Sequence, residues 1–333
     1  MGVTIKDIAA AAGVSHPTVS KALNNAPGVS EETRERILKI AAHMDYSPNL
    51  AARNLANKKN RSIGLIWPNV EGLFYYHLCA TLQKQAAKRD IDVFASMSKP
   101  ARALKNFRGH LVDYVVCWNS PSWVPNDEFI HEKELFKGQI TIVGGGTTEG
   151  VNRLDINRSQ GIFETVQYLE GLGHRRIAFV GEESEKNTGY MRGVLEYGLE
   201  YSPNLMITSP EGFYYDSASK RSEMDARFSA LWNSPQRPTA LIMDSQGSAF
   251  AMINTLLKLA ITIPDDLSVV TYDDIPEISI YPVRLDTCGP SIVNLVNLVL
   301  DDYERFYDDS KVQARNLATI VPQLTVREST RRV

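Results

Sequence analysis

The sequence has little cysteine and no long apolar run. Three cysteines occur in 333 residues and no two of them form a CxxC pair, so neither a disulfide framework nor a zinc site is predicted. No apolar stretch is long enough to span a bilayer. The first residues contain neither the apolar segment nor the twin-arginine pair of an export signal. We therefore expect a cytoplasmic protein that makes no membrane contact.

The sequence also lacks the common catalytic motifs. The run Gly144-Gly145-Gly146 is not followed by the GK[ST] of a phosphate-binding loop, and no GxGxxG, HExxH or GxSxG occurs. The six histidines are scattered along the chain. These absences predict that the protein is not an enzyme and binds neither a cofactor nor a metal.

The charge is divided unevenly along a chain of otherwise ordinary globular composition. Residues 1–60 contain eight Lys and Arg against five Asp and Glu, a net charge of +3, which leaves −6 on the remainder. A basic head on an acidic body is expected when only the head contacts phosphate. The length suits two or three domains.

The first 47 residues show the pattern of three short helices. Thr4 with Asp7 predicts a capping box at the start of the first helix, and Gly13 ends it. Ser15 can cap a second helix that has Pro17 in its first turn, where a missing N–H costs little. Helix, glycine turn, helix and a bracing third helix indicate a helix-turn-helix domain.

The amino-acid sequence of this segment resembles that of a known DNA-binding family. The string TIKDIAAAAGVSHPTVSKALNN, followed by VSEETRERILKIAAHMDYSPNLAARNLA, resembles the DNA-binding headpiece of the LacI/GalR family of bacterial repressors. The resemblance implies base readout by three residues of the second helix, namely His16, Pro17 and Lys21. It implies contacts to the DNA backbone from Thr4, Ser15, Thr18, Ser20 and Asn24.

Residues 48–61 resemble the family's hinge helix and linker. The resemblance implies minor-groove contacts from Asn49, Ala52 and Leu55, with Leu55 wedged between base pairs so that the duplex kinks. The alternative for Leu55 is an ordinary buried leucine at a domain junction. A helix this short is marginal by itself, so we expect it to need DNA or a partner helix.

The rest of the chain alternates apolar runs with helical stretches, which predicts parallel sheets covered on both faces. Strands are predicted at 63–67, 91–95, 112–118, 139–143, 176–181, 240–243 and 267–272. The stretch between Ser96 and Val112 is expected to be too short for the family's usual helix. Two such αβ sets predict two lobes, with ligand bound beyond the carboxyl ends of the strands.

The family resemblance continues through this body. The strings LEGLGHRRIAFV, IPDDLSVV and VPQLTVREST carry it, and they imply lobes that resemble periplasmic sugar-binding proteins. The expected fold class is a small all-α headpiece followed by an α/β two-lobe core with parallel sheets. The first lobe is expected from 62–157 plus 288–318 and the second from 158–287 plus 319–333, with three chain crossings.

The resemblance implies that a small molecule, usually a sugar or a nucleobase, binds between the lobes. The candidate effector-binding residues are Phe74, Tyr75, Asp155, Asn187, Arg192, Gln246 and Asp273. A carboxylate such as Asp273 suits ligand hydroxyls because it accepts several charge-assisted hydrogen bonds. Whether Arg192 or Tyr190 takes the family's cleft position is left open. Ser245 and Gln246 depart from the family's Asn-Asp pair.

The leading hypothesis is a sequence-specific transcription regulator, a repressor that binds a palindromic operator as a homodimer and responds to a sugar or sugar derivative. We expect it in the cytoplasm, associated with the nucleoid. The helices around 74–89 and 290–306 are the expected dimer interface. An enzyme, an exported solute-binding protein and a dual activator and repressor are the alternatives.

Overall fold

The computed structural model describes residues 3–23, 26–46, 61–67, 72–119, 123–146, 148–182, 184–209, 218–308 and 314–333. The chain divides into two compact units, Met1–Asn60 and Arg61–Val333, which we call the headpiece and the core. Within these ranges, no helix is both long and apolar enough to cross a membrane.

The headpiece contains three helices around a small apolar centre. They are α1 (Ile5–Ala12), α2 (His16–Leu23) and α3 (Glu31–His43). Gly13 ends α1 in the left-handed conformation, at φ +64°, which glycine adopts without the strain of a Cβ atom. The buried residues that hold the helices together are Ile8, Ala9, Ala12, Val19, Ala22, Ile37 and Ala41.

The first lobe of the core is built on a six-stranded parallel sheet. Its strands are β1 (Ser62–Ile66), β2 (Asp92–Ser96), β3 (Tyr114–Trp118), β4 (Gln139–Val143), β5 (Asn152–Ile156) and β11 (Asn316–Ile320), in the order β11-β5-β4-β3-β1-β2. Its helices are α4 (Leu73–Ala87), α5 (Pro100–Gly109), α6 (Asp127–Leu135) and α11 (Ile292–Asp308). The central strands are buried throughout, as expected for a sheet that is covered on both faces.

The second lobe has a matching sheet. Its strands are β6 (Ile177–Glu182), β7 (Met206–Ser209), β8 (Ala240–Met243), β9 (Ser268–Tyr272), β10 (Asp286–Gly289) and β12 (Gln323–Thr325), in the order β12-β10-β9-β8-β6-β7. Only β12 is antiparallel to its neighbour. Its helices are α7 (Arg158–Gly171), α8 (Glu185–Glu196), α9 (Ala218–Trp232) and α10 (Gln246–Lys258).

The chain crosses between the two sheets three times: after β5, after β10 and after β11. The expected boundaries at 288 and 319 fall inside β10 and β11, because the pairing of β10 continues through Gly289 and that of β11 through Ile320. These two crossings therefore lie about two residues later than the family resemblance implied.

A helix forms between Ser96 and Val112, in the stretch that was expected to be too short for the family's usual helix. The helix α5 occupies ten residues of this stretch. Pro100 stands at its first position, where the missing N–H has no helical partner to lose. Leu111 then turns the chain sharply at φ +58° into β3. Because the loops before and after α5 are short, the stretch is long enough to contain the helix.

Candidate functional site

In the headpiece, α2 presents a polar face to solvent. Val19 and Ala22 anchor its inner side in the headpiece core. His16, Pro17 and Lys21, the predicted base-reading residues, are all exposed and share the opposite side of the helix. A short helix held from behind by two others, with its outer side free, has the form of a major-groove recognition helix.

Hydroxyl groups mark the starts of the first two helices. The Thr4 backbone N–H and hydroxyl both donate to the Asp7 carboxylate, at 2.8 and 2.7 Å, and these bonds lower the pKa of Asp7. The Ser15 and Thr18 hydroxyls lie 2.8 Å apart at the start of α2. Thr4 and Ser15 are exposed at helix N-termini, where orphan N–H groups favour phosphate. Asn24 and the hinge residues Asn49, Ala52 and Leu55 lie outside the described residues.

In the core, the cleft lies where the carboxyl ends of the strands in both sheets meet. Arg158, the first residue of α7, reaches across it. Its Nη1 donates to the Gly144 carbonyl of the first lobe at 2.6 Å and to Oε1 of Glu185 in the second lobe at 2.9 Å. The Arg158 side chain is only 11% exposed. This buried cation therefore links the two lobes.

A second cation, Lys186, stands at the start of α8. Its Nζ donates to the Asp244 carbonyl at 2.6 Å and lies 4.0 Å from the centre of the Tyr272 ring. The Asp244 carboxylate is occupied separately, by the Glu182 N–H at 2.8 Å and the Ser248 hydroxyl at 2.7 Å. Lys186 is thus held by a carbonyl and a ring face, and no carboxylate contacts it directly among the described hydrogen bonds.

Asp273 follows β9 in the left-handed conformation, at φ +72°. Burial raises the pKa of its carboxyl group from 3.8 to about 6, although the positive charges of Lys186 and Arg158 limit the rise. Burial, followed by the charge of Asp244, also raises the pKa of Glu182. A desolvated carboxylate gains most from a ligand that donates hydrogen bonds to it.

On the first-lobe side, aromatic rings line the cleft. The Trp118 ring centre lies 5.6 Å from that of Phe74 and 5.5 Å from that of Tyr75. Burial, followed by the charge of Asp273, raises the pKa of the Tyr75 hydroxyl. Trp118 Nε1 and Asn119 Nδ2 are buried and have no hydrogen-bond partner within the described part of the chain. These two groups can donate to a ligand.

A further hydrogen bond between the lobes involves Gln246. Oε1 of Gln246, at the start of α10 in the second lobe, accepts the Phe74 N–H of the first lobe at 3.1 Å. Gln246 is 6% exposed and Phe74 5%. The cleft therefore combines N–H donors from the first lobe with carboxylate acceptors from the second. This arrangement can bind a small polar molecule that has both donors and acceptors.

The comparisons with known proteins agree with both units. The model of bacterial regulatory proteins of the lacI family matches residues 4–49, and that of the periplasmic binding protein-like domain matches residues 166–330. Catabolite control protein A of Priestia megaterium is 30% identical over 346 residues, which cover 99% of this chain and 96% of that protein. The chain belongs to the lacI family of bacterial regulatory proteins.

Solved structures of this architecture span the whole chain. The lac repressor dimer bound to operator and the anti-inducer ONPF is 21% identical, covers 99% of this chain and 100% of its own, and has a TM-score of 0.80. The complex of the regulator CelR with cellobiose is 22% identical, covers 98% and 99%, and has a TM-score of 0.63. The predicted family and fold class are confirmed: the protein is a LacI-family helix-turn-helix transcriptional regulator of the repressor type, with a periplasmic-binding-protein-like core.

The structure does not bring every predicted effector residue of this LacI-family protein into the cleft. Arg192 is exposed on α8, where its guanidinium donates to Gln160 at 2.6 Å and lies 3.8 Å from the centre of the Phe163 ring. Tyr190 is fully buried and donates to the Ile177 carbonyl at 2.7 Å, at the opposite end of β6 from the cleft. Neither side chain lies beside the cleft residues described above.

The other predicted residues divide between cleft and periphery. Phe74, Tyr75, Gln246 and Asp273 come together as described above. Asn187 is half-buried beside Lys186 on the first turn of α8. Asp155 instead forms an ion pair with Arg153 on β5, with 2.7 Å between its Oδ2 and the arginine Nη2.

Sequence reasoning missed several residues of the cleft. They are Arg158, Glu182, Glu185, Asp244 and Asn119. All of them stand at the carboxyl end of a parallel strand or within the first turn of the helix that follows. That position is a signal available in the sequence once the strands are placed, because ligands of such sheets bind there.

Proposed function

We propose that the protein is a homodimeric repressor that reads a palindromic operator with two headpieces and is controlled by a small-molecule effector in the core cleft. It acts in the cytoplasm, on nucleoid DNA. The observation that carries this proposal is the exposed face of α2, where His16, Pro17 and Lys21 stand on a helix anchored by buried Val19 and Ala22.

The division of labour on DNA follows from side-chain chemistry. Lys21 and His16 can donate to acceptors on base edges, and Pro17 offers an apolar contact. We assign backbone contacts to Thr4, Ser15, Thr18, Ser20 and Asn24, which position the headpiece without reading sequence. Within the hinge of residues 48–61, we assign minor-groove contacts to Asn49, Ala52 and Leu55, with Leu55 as the wedge that kinks the duplex.

The homodimer is supported by exposed apolar side chains on the first lobe. Tyr76 on α4, Phe94 on β2 and Met97 just beyond it are 58%, 46% and 82% exposed, and β2 is the edge strand of its sheet. The helix α11, also expected at the interface, buries Leu295, Val299 and Tyr303 within its own lobe, where it packs against α4. We assign the interface to α4 and α11, together with the edge strand β2; Val293 on α11 is 51% exposed.

The effector is a polar small molecule, and we propose a sugar or sugar derivative. Ring hydroxyls can donate to Asp273 and accept from Trp118 Nε1 and Asn119 Nδ2, while an aromatic ring such as Tyr75 covers an apolar sugar face. A cellobiose complex and an ONPF complex occur among the solved structures of the same fold. The ligand alters operator binding only if it favours one of two lobe arrangements.

Selection of operators from random duplex DNA with the full-length protein tests the proposal. We expect enrichment of a two-fold symmetric site whose half-sites reflect the two headpieces. A Lys21→Ala variant serves as the matched control, because it keeps the fold and removes one base-reading donor. Failure to enrich any symmetric site would contradict the proposed function.

A further inference from the structure

Among the described residues, none of the segment that leads into α4 caps the start of this helix. Its N-cap residue is Gly72, which has no side chain to accept the N–H groups of the first turn. Such groups have no intrahelical partner and require an acceptor when they are buried. Phe74 carries one of them, and it is 5% exposed. The acceptor is the Gln246 side chain of the second lobe, 3.1 Å away.

The local geometry leaves space for this cross-lobe contact. Gly72 lies at φ +150°, and a Cβ atom there would collide with the Gln246 side-chain nitrogen. The helix α10 does not need the Gln246 side chain for its own start, because the Ser245 hydroxyl accepts the Ser248 N–H at 3.2 Å. Gly72 leaves space for the Gln246 carboxamide, and Ser245 caps α10 in its place. The carboxamide can therefore accept the Phe74 N–H of the other lobe.

A second contact ties the same end of α4 to the second lobe. His77 lies one turn further along, and its Nε2 is 2.8 Å from Oε2 of Glu277. The N-terminal end of α4 is thereby held to the second lobe at two points, by one buried neutral hydrogen bond and by one half-buried pair. Both contacts must break if the lobes separate at α4.

We infer that the Gln246 side chain of the second lobe caps α4 of the first lobe and occupies part of the effector cleft. This cap favours the closed arrangement of the lobes in the ligand-free protein. This inference rests on the proposed function, in which the cleft is the effector site. An effector that reaches α4 must displace the Gln246 oxygen. Its replacing atom must itself be an acceptor, such as a hydroxyl or carboxylate oxygen, because the Phe74 N–H only donates and a helix N-terminus favours negative charge.

Amide hydrogen exchange of the ligand-free, full-length protein tests the cap. Gln246→Leu keeps the size of the side chain and removes its acceptor, and Gln246→Asn keeps the amide but makes it too short to reach. We expect either change to speed exchange of the Phe74 amide about two- to tenfold, the factor that corresponds to one net hydrogen bond. Gln246→Glu retains an acceptor at full length and should leave the exchange rate close to that of the wild type.

Amides in the sheet centres, Val116 on β3 and Ile242 on β8, provide the reference for global stability. Unchanged Phe74 exchange in both Gln246→Leu and Gln246→Asn would overturn the inference. Equal acceleration at Phe74, Val116 and Ile242 would overturn it too, because Gln246 would then act on overall stability alone. The amide-exchange measurements, at Phe74 and at the reference amides, use neither DNA nor effector. A failed operator selection beside a positive exchange result would therefore contradict the proposed function and leave the cap standing.

Discussion

Asp273→Asn should stabilise the ligand-free protein at neutral pH while it removes effector binding. The Asp273 carboxyl has its pKa raised from 3.8 to about 6 by burial, so the folded state binds its proton more tightly than the unfolded state does. Above pH 6 the buried carboxylate is ionised and costs stability. The difference between the two pKa values corresponds to about 3 kcal/mol. Asparagine carries no charge and also tolerates the left-handed conformation that this position requires.

The pH dependence gives this prediction its sign. The cost is fully present above the folded pKa of about 6, and it declines as the pH falls towards 3.8. The stability advantage of Asp273→Asn should therefore be about 3 kcal/mol at most at pH 7.5 and about half of that at pH 5, given about 1.4 kcal/mol for each pH unit between the two pKa values.

Urea denaturation of both proteins at pH 5 and pH 7.5 measures the difference. The neighbouring Asp274→Asn variant is the matched control, because Asp274 is exposed and pairs with Arg327 at the surface. An Asp273→Asn protein that is no more stable than the wild type at pH 7.5 would refute the reasoning. An advantage that does not shrink at pH 5 would refute it equally.

Three further changes test the DNA-binding, dimer and cleft assignments. His16→Ala should relax base preference by about 1–3 kcal/mol in operator selection, whereas Leu55→Ala should weaken operator binding with little change in preference. Equal losses on operator and random DNA for both variants would contradict this division. Phe94→Glu should give monomers in sedimentation, since an unpaired buried carboxylate costs several kcal/mol, and Leu195→Glu on the exposed face of α8 should leave the dimer intact; a dimeric Phe94→Glu protein would move the interface elsewhere. Arg158→Met should lower the free energy of unfolding by about 1–3 kcal/mol, because it leaves two acceptors without their charged donor; an unchanged value would show that the lobes do not depend on this link.

Local signals made the headpiece predictable. Gly13 stands where the chain must turn left-handed, and Thr4, Ser15 and Ser30 stand at helix starts. One or two residues therefore indicate each of these helix boundaries. The core strands were predictable for a similar reason, since buried parallel strands form continuous apolar runs. The helix α5 was missed because chain length between strands is a poor guide when Pro100 allows a helix to begin at once.

The cleft was harder to predict because it depends on which side of a helix faces which lobe. Arg192 fits a family motif by spacing, yet it lies one position from Gly193, whose close contact with Val166 fixes the inner face of α8. The rotation this imposes sends Arg192 outward onto the Phe163 ring. A displacement of one residue turns a helical side chain by about 100°, which spacing alone does not resolve.

Two opposing contributions at the cleft determine how readily the lobes can respond to a ligand. The buried Asp273 carboxylate opposes the ligand-free folded state at neutral pH, because burial raises its pKa to about 6. The Gln246 cap and the link from Arg158 to Gly144 favour closure, each by about 1 kcal/mol for a typical net hydrogen bond and by more where a donor is charged. Contributions of this size are small enough for a bound ligand to offset. A ligand that donates hydrogen bonds to Asp273 removes the opposing contribution, and a few kcal/mol of preference is enough to shift most of the population.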